Sequence, residues 1–118
     1  MSYEFNNEIP IYLQIIEHIK MLIIRKKYLP NEKIPSVREL SLKYGVNPNT
    51  IQKALNELEN LGLIYTERTN GKFVTNKKDI LKKITENTIN EKVNDFFNSM
   101  EELGLNKKEI LKILNNKE

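Results

Sequence analysis

The stretch Pro30-Asn31-Glu32-Lys33-Ile34-Pro35-Ser36-Val37-Arg38-Glu39-Leu40, continuing through Tyr44-Gly45-Val46-Asn47-Pro48-Asn49-Thr50-Ile51-Gln52-Lys53-Ala54-Leu55 to Leu61, decides the fold. Ser36 and Glu39 stand at Ser-x-x-Glu spacing, where the serine oxygen accepts from the Glu39 amide and the carboxylate reaches back to the Ser36 amide. Val37, Leu40 and Tyr44 then recur at helical steps, and Gly45 suits the left-handed residue that ends a helix. Val46 fills a turn before a second start signal, Asn47 as cap acceptor and Pro48 at the first helical position. Ile51, Ala54, Leu55, Leu58 and Leu61 follow at steps of three and four and define an inward face. Asn49, Thr50, Gln52, Lys53 and Asn56 are left on the other side, and Gly62 closes the helix. Two short helices across a glycine-containing turn read as a helix-turn-helix.

Upstream, Ile11, Tyr12, Ile15, Ile16, Ile19, Leu22 and Ile23, with Met21 and Ile24 off the main face, predict an amphipathic helix of about 16 residues with Pro10 near its first turn. Arg25-Lys26-Lys27 put cations at the negative end of its dipole, and Pro30 bars continuation. Lys33-Ile34-Pro35 is extended, because proline drives the preceding residue out of helical geometry. His18, the single histidine, falls on the polar side beside Glu17 and reads as a surface residue. Downstream, residues 63–68 and 72–75 are β-type runs joined across Thr69-Asn70-Gly71. Asn-Gly predicts a tight turn with positive φ at both central positions. A hairpin placed directly after a helix-turn-helix is a wing, with Arg68 and Lys72 at its tip.

From Lys77 onward helical periodicity is continuous. Ile80, Leu81 and Ile84 form one apolar stripe and Val93, Phe96, Phe97, Met100 and Leu103 another. Gly104 breaks the run, and Asn106 with Glu109 offers a capping arrangement for a last helix carrying Ile110, Leu111, Ile113 and Leu114. The chain thus divides into a winged helix-turn-helix over residues 1–76 and a helical tail over 77–118, mainly α with one small β-hairpin. Two or three amphipathic tail helices cannot bury their stripes alone. A second copy of the chain is the expected cover, with Ile84, Val93, Phe96, Phe97, Met100, Leu103, Ile110 and Leu114 in the seam. The alternative is a tail folded back onto its own winged helix.

With 118 residues, 30% charged and 39% apolar, the chain suits one small domain plus an appendage and falls outside the disordered range. Its net charge is only +3, but residues 20–53 hold eight Lys and Arg against two Glu. A basic helix-turn-helix segment on a nearly neutral remainder is the footprint of a phosphate-contacting face; a solvated, lysine-rich surface is the bland alternative. The absence of cysteine excludes disulfides and thiol-based sites. One histidine, no phosphate-cradling glycine loop and no suggestively placed carboxylate pair argue against an enzyme, a metal site or a cofactor. No apolar run reaches about 18 residues and the leader Met1 to Glu8 is acidic, so no membrane association is expected and a cytoplasmic protein is.

Taken together, Pro-x-x-Lys-Ile-Pro-Ser-Val-Arg-Glu-Leu at 30 to 40, Tyr-Gly-Val-Asn-Pro-Asn-Thr-Ile-Gln-Lys-Ala at 44 to 54, Leu-Glu-x-Leu-Gly-Leu-Ile at 58 to 64 and Gly-x-Phe-Val at 71 to 74 resemble the winged-helix DNA-binding domain of the GntR family of bacterial transcription regulators. Pro10-Ile11-Tyr12-Leu13-Gln14-Ile15, Asn-Pro-Asn-Thr at 47 to 50 and the short tail resemble its YtrA branch. The motifs span about residues 9 to 75; the tail matches only in length and helical character. The resemblance implies a homodimeric repressor on a two-fold symmetric operator in double-stranded DNA, in a branch that often controls ABC transporter operons. It also implies contacts from Arg38, Asn47, Asn49, Thr50 and Gln52 and from the wing around Gly71.

This chain departs from the pattern where many relatives carry arginine at the positions of Pro48 and Gln52, glycine at Asn31 and Thr69, and threonine at Lys72. The Gln52 and Asn49 amides can pair with adenine edges, which predicts an operator rich in adenine and thymine; use of the same positions for backbone contacts is the alternative. Ser36, Lys43, Lys53, Arg68, Asn70 and Lys72 complete the expected DNA-contacting set, the cations acting on phosphate. An unidentified small-molecule effector would have to sit at the dimer seam or between tail and winged helix. The competing reading is a winged helix used as a protein-protein interaction module, and the polar, basic outer face of the second helix favours DNA over it.

Overall fold

A computed structural model describes residues 3–117. The chain forms two compact units, Met1–Leu81 and Lys82–Glu118. In the first, α1 (Ile11–Ile24), α2 (Val37–Tyr44) and α3 (Pro48–Asn60) are followed by β1 (Ile64–Glu67) and β2 (Gly71–Val74). The tail contains α4 (Lys78–Glu101), which begins in the first unit, and α5 (Lys107–Asn115).

The local signals act where they were read. Around Ser36, the hydroxyl accepts from the Glu39 amide at 3.1 Å while the Glu39 carboxylate accepts from the Ser36 amide at 2.9 Å. Asn47 caps α3 by accepting from the Asn49 amide at 2.8 Å, with Pro48 in the first turn. Gly45 is left-handed, with φ of 69°. Helix α1 starts one residue after Pro10 and stops at Ile24. Its end is a Schellman arrangement, with the Lys27 amide on the Leu22 carbonyl at 2.8 Å and the Lys26 amide on that of Ile23 at 3.1 Å. Lys26 takes the left-handed position, φ 60°, that glycine normally fills.

Helix α3 is the centre of the first unit: α1, α2 and β1 all pack against it. Ile15, Ile19 and Ile23 from α1, Leu40 and Tyr44 from α2, Ile51, Ala54, Leu55 and Leu58 from α3, and Leu63, Ile64 and Val74 from the wing are buried. Burying a side chain of this size is worth roughly 1.5–3 kcal/mol. Leu61, expected on the inward face, is 47% exposed. It sits at the C-cap, after which Gly62 (φ 83°) has already turned the chain away.

The wing differs from the expected tight turn with positive φ at both Asn70 and Gly71. Ile64 pairs with Val74 and Glu67 with Gly71, which leaves Arg68-Thr69-Asn70 as a three-residue loop. Gly71 alone carries positive φ, 106°, while Asn70 does not. A three-residue loop closed by the Asn70 amide on the Glu67 carbonyl at 3.1 Å needs only one left-handed residue after it. The extended segment before α2 joins the hairpin: the Ile34 amide donates to Lys72 O and the Val74 amide to Glu32 O, both at 2.9 Å. Strand β2 therefore has a backbone neighbour on each side.

His18 is corrected from surface to packed residue. Its Nδ1 lies 2.6 Å from the Tyr44 hydroxyl, with the two rings edge-on at 5.4 Å. Burial, helped by the Lys43 charge, lowers the imidazole pKa, and burial raises that of Tyr44. Both groups are therefore held neutral, and the imidazole tautomer sets which of them donates. The leader contributes as well, with Tyr3 at 4.7 Å from the His18 ring and Gln14 holding Asn6 through its amide and carbonyl at 2.8 and 2.7 Å.

In the tail, α4 runs uninterrupted for 24 residues where the sequence suggested one or two helices. Asn106 and Glu109 form the expected capping box of α5. Of the expected seam residues, Val93, Phe96, Leu103 and Leu114 are exposed, Ile84, Phe97 and Met100 half-buried, and Ile110 fully buried within the chain. Among the described residues no helix is long and apolar enough to cross a membrane.

Candidate nucleic-acid interface

The expected contact residues on α3 occupy its first two turns, opposite the buried Ile51, Ala54 and Leu55. Asn49 and Gln52 are exposed and Thr50 is half-buried. Asn47 spends its side-chain oxygen on the cap, which leaves its amide N–H groups as the outward chemistry. Gln52 is oriented rather than free, because its Nε2 donates to Asn56 Oδ1 at 2.9 Å. One turn apart on the helix, the two amides form a linked pair that presents Gln52 Oε1 and a remaining N–H together, the combination that matches an adenine edge. Lys53 Nζ lies 3.9 Å from the ring centroid of Tyr12 on α1, a cation–π contact that fixes a charge at the helix flank.

On α2, Ser36 and Arg38 are exposed near the N-terminus and Lys43 near the C-terminus. Bonds from Ser36 hold the Glu39 carboxyl below its usual range, so the capping charge persists into mild acid. Lys43 Nζ stands 5.9 Å from the Tyr44 ring. Ser36, Asn70, Gly71 and Lys72 are brought together around an open cavity of about 330 Å³ that Lys33 also lines. A Cβ on Gly71 would meet Lys33 Cε at 3.0 Å, so a side chain there would crowd this lysine as well as strain the backbone. The cavity joins the wing to the start of α2; Lys43, at the other end of that helix, does not line it.

Two expectations about the wing change. Arg68 is exposed in the loop, but Lys72 is not at the tip: it pairs with Thr66 in the middle of the hairpin. Its Nζ donates to Glu59 Oε1 at 3.0 Å and Thr66 Oγ1 at 2.8 Å. Asn70 Nδ2 donates to Glu67 Oε2 at 3.3 Å within the exposed loop. Sequence reasoning placed Asn56 on the outer face of α3 but missed its bond to Gln52, which their i, i+4 spacing could have flagged. It also missed Glu59, Lys33 and Tyr12, which become neighbours of this surface only through the hairpin register and helix packing.

The family model for bacterial regulatory proteins of the gntR family matches residues 11–74. Among curated relatives, the HTH-type transcriptional regulator YhcF of Bacillus subtilis (strain 168) is 41% identical over 111 residues, covering 94% of this chain and 92% of the relative. The HTH-type transcriptional repressor YtrA of the same organism is 46% identical over 66 residues, 56% of this chain and 51% of the relative. Among solved structures, a GntR family transcriptional regulator from Listeria monocytogenes superimposes with a TM-score of 0.87 at 37% identity, over 97% of this chain and all of that one. AraR(DBD) in complex with operator ORE1 superimposes with a TM-score of 0.56 at 36% identity, over 64% of this chain and 94% of that one. With its α1 to wing segment matched in full, this chain, a transcription regulator and not an enzyme, belongs to the GntR family of bacterial regulatory proteins.

Proposed function

We propose that this chain is a homodimeric repressor of the YtrA branch that reads a palindromic DNA operator with the first two turns of α3. The observation that carries the reading is the split of α3 itself: one face is fully committed to the core, while the other offers an oriented Gln52–Asn56 amide pair beside Asn49, with Lys53 at the flank. Such a helix enters a major groove by its N-terminal end. Ser36, Arg38, Lys43 and Arg68 supply phosphate contacts around it, and Gly71 lets the wing backbone approach closely. AraR(DBD), which superimposes over 64% of this chain, is bound to its operator, and this supports double-stranded DNA as the partner. The winged helix occupies residues 1–76, and the tail, 77–118, pairs two copies through Val93, Phe96, Phe97, Met100, Leu103 and Leu114, with Ile84 at its start and Ile110 as internal support. The branch resemblance points to a transporter operon as the regulated target and the cytoplasm as the working compartment.

Selection of bound duplexes from a random pool, using the full chain, tests this directly. The expected result is a two-fold symmetric site with half-site centres about 10 base pairs, or a multiple of one turn, apart and adenine at the positions facing Gln52. A pool that yields no enriched sequence, with binding insensitive to salt, would overturn the reading in favour of a protein-interaction module.

A further inference from the structure

The wing is tied to α3 by three polar groups that close on one another. Lys72 Nζ donates to Glu59 Oε1 at 3.0 Å and to Thr66 Oγ1 at 2.8 Å, and the Thr66 hydroxyl donates to the same Glu59 oxygen at 2.9 Å. The lysine side chain is 20% exposed and the glutamate 39%, so the pair is shielded but reachable. Among the described residues, Lys72 is the one cation of the candidate interface that forms an ion pair; the other ion pair joins Lys20 to Glu17 on α1. Hydrogen bonds from Lys72 and Thr66 hold the Glu59 carboxyl ionised to below its usual range. Lys33, a second cation, lines the cavity beside Lys72.

We propose that Glu59 is an affinity- and specificity-setting residue that acts through Lys72, masking the wing cation until a correctly placed phosphate displaces the carboxylate. The inference rests on the DNA-binding reading above. A lysine neutralised by its own protein releases no counterion from DNA, so the closed clasp leaves binding to random duplex one charge weaker than the sequence suggests. Opening it frees the ammonium but leaves a bare carboxylate near the phosphates, which costs affinity unless the wing is seated in the one geometry that replaces both of its bonds. Random DNA, which seats the wing poorly, is penalised most. Glu59 thereby widens the gap between operator and non-operator binding without touching a base.

The test compares wild type, Glu59→Gln, Glu59→Gln/Lys72→Gln and the control Glu57→Gln on the selected operator and on random duplex across a salt series. Glutamine at 59 keeps an acceptor for Lys72 and Thr66 but not the charge, so the fold is retained. The expected outcome for Glu59→Gln is several-fold tighter binding to random duplex, a salt slope steeper by about one, and a reduced operator-to-random ratio. The double variant loses the gain, and Glu57→Gln, which removes a carboxylate bonded to Asn60 rather than to a cation, leaves the slope alone. Equal weakening of both duplexes by Glu59→Gln would make the clasp a structural strap and overturn the proposal. So would an unchanged slope, or the same steepening from Glu57→Gln. Wild type failing to bind duplex at all would overturn the DNA-binding reading together with the proposal, whereas wild-type binding with Glu59→Gln unaltered overturns the proposal alone.

Discussion

The winged-helix unit and the tail are both built from helices that carry apolar residues at steps of three and four, yet they dispose of those residues in opposite ways. In the first, α1, α2, β1 and the inner face of α3 pack together until Ile15, Ile19, Leu40, Ile51, Ala54 and Leu58 have no exposed surface left. In the second, Thr88 and Ile110 are the buried residues of α4 and α5, while Ile89 is 53% and Leu103 76% exposed, with Val93, Phe96, Leu111, Ile113 and Leu114 also open. Periodicity makes a helix amphipathic; it does not provide the second surface on which the apolar stripe is buried. The winged helix has that surface within one chain. In the proposed dimer these exposed tail residues are what a partner copy would cover, since exposed apolar surface of this kind marks an interaction site.

The variant with the largest expected effect is Phe97→Asp. If the tail pairs two copies as proposed, a charge there should convert dimer to monomer in sedimentation and abolish tight operator binding, with the winged-helix melting transition retained; a dimer that survives the substitution would break the contrast between the two units. Next comes Leu58→Ala, which should cost about 2–5 kcal/mol in urea unfolding because the cavity opens inside a closed core. Val93→Ala in the tail should cost the protomer less than about 0.5 kcal/mol and appear instead as weaker self-association. Gln52→Ala should then lose roughly 1–3 kcal/mol on the cognate site and relax preference at one base pair, leaving random-duplex binding as it was.

Smaller effects probe what the winged-helix unit tolerates. Lys26→Gly should stabilise it by about 0.5–1 kcal/mol, since a left-handed φ of 60° strains any residue with a Cβ; thermal melting checks this. The smallest effect is acidic. Because the folded state lowers the His18 pKa from 6.5, the unfolded chain takes up the proton first, and stability from the His18–Tyr44 contact is complete above about pH 6.5 and lost as pH falls through the folded value. His18→Gln should flatten that part of the stability profile below about pH 6.5. A profile of unchanged slope would return His18 to the solvated surface.

The helix boundaries and caps were legible because each rests on groups a few residues apart. Ser36 with Glu39, Asn47 with Asn49, and Asn106 with Glu109 are all such pairs. The wing was legible as a hairpin but not in its loop, since Asn70-Gly71 fits two turn geometries and the pairing of Glu67 with Gly71, set by β2 lying between β1 and residues 31–34, selects one. Leu61 misled because a periodic stripe gives no warning that its last member falls on the cap. The interface cations were legible as charges, and their present partners were not.

By itself, then, the chain determined its element order, its caps, the inward face of α3 and the family-like motif, because hydrogen bonds within one turn and apolar spacing involve only residues close in sequence. Only the tertiary structure decided which polar groups meet across that frame: His18 with Tyr44, 26 residues apart, Lys53 over Tyr12, and Lys72 on Glu59, 13 residues away. A charge pair of this kind depends on strand register and helix orientation, each set by burial of other residues. Whether a lysine is offered to DNA or held by its own protein is therefore decided by the core beneath it.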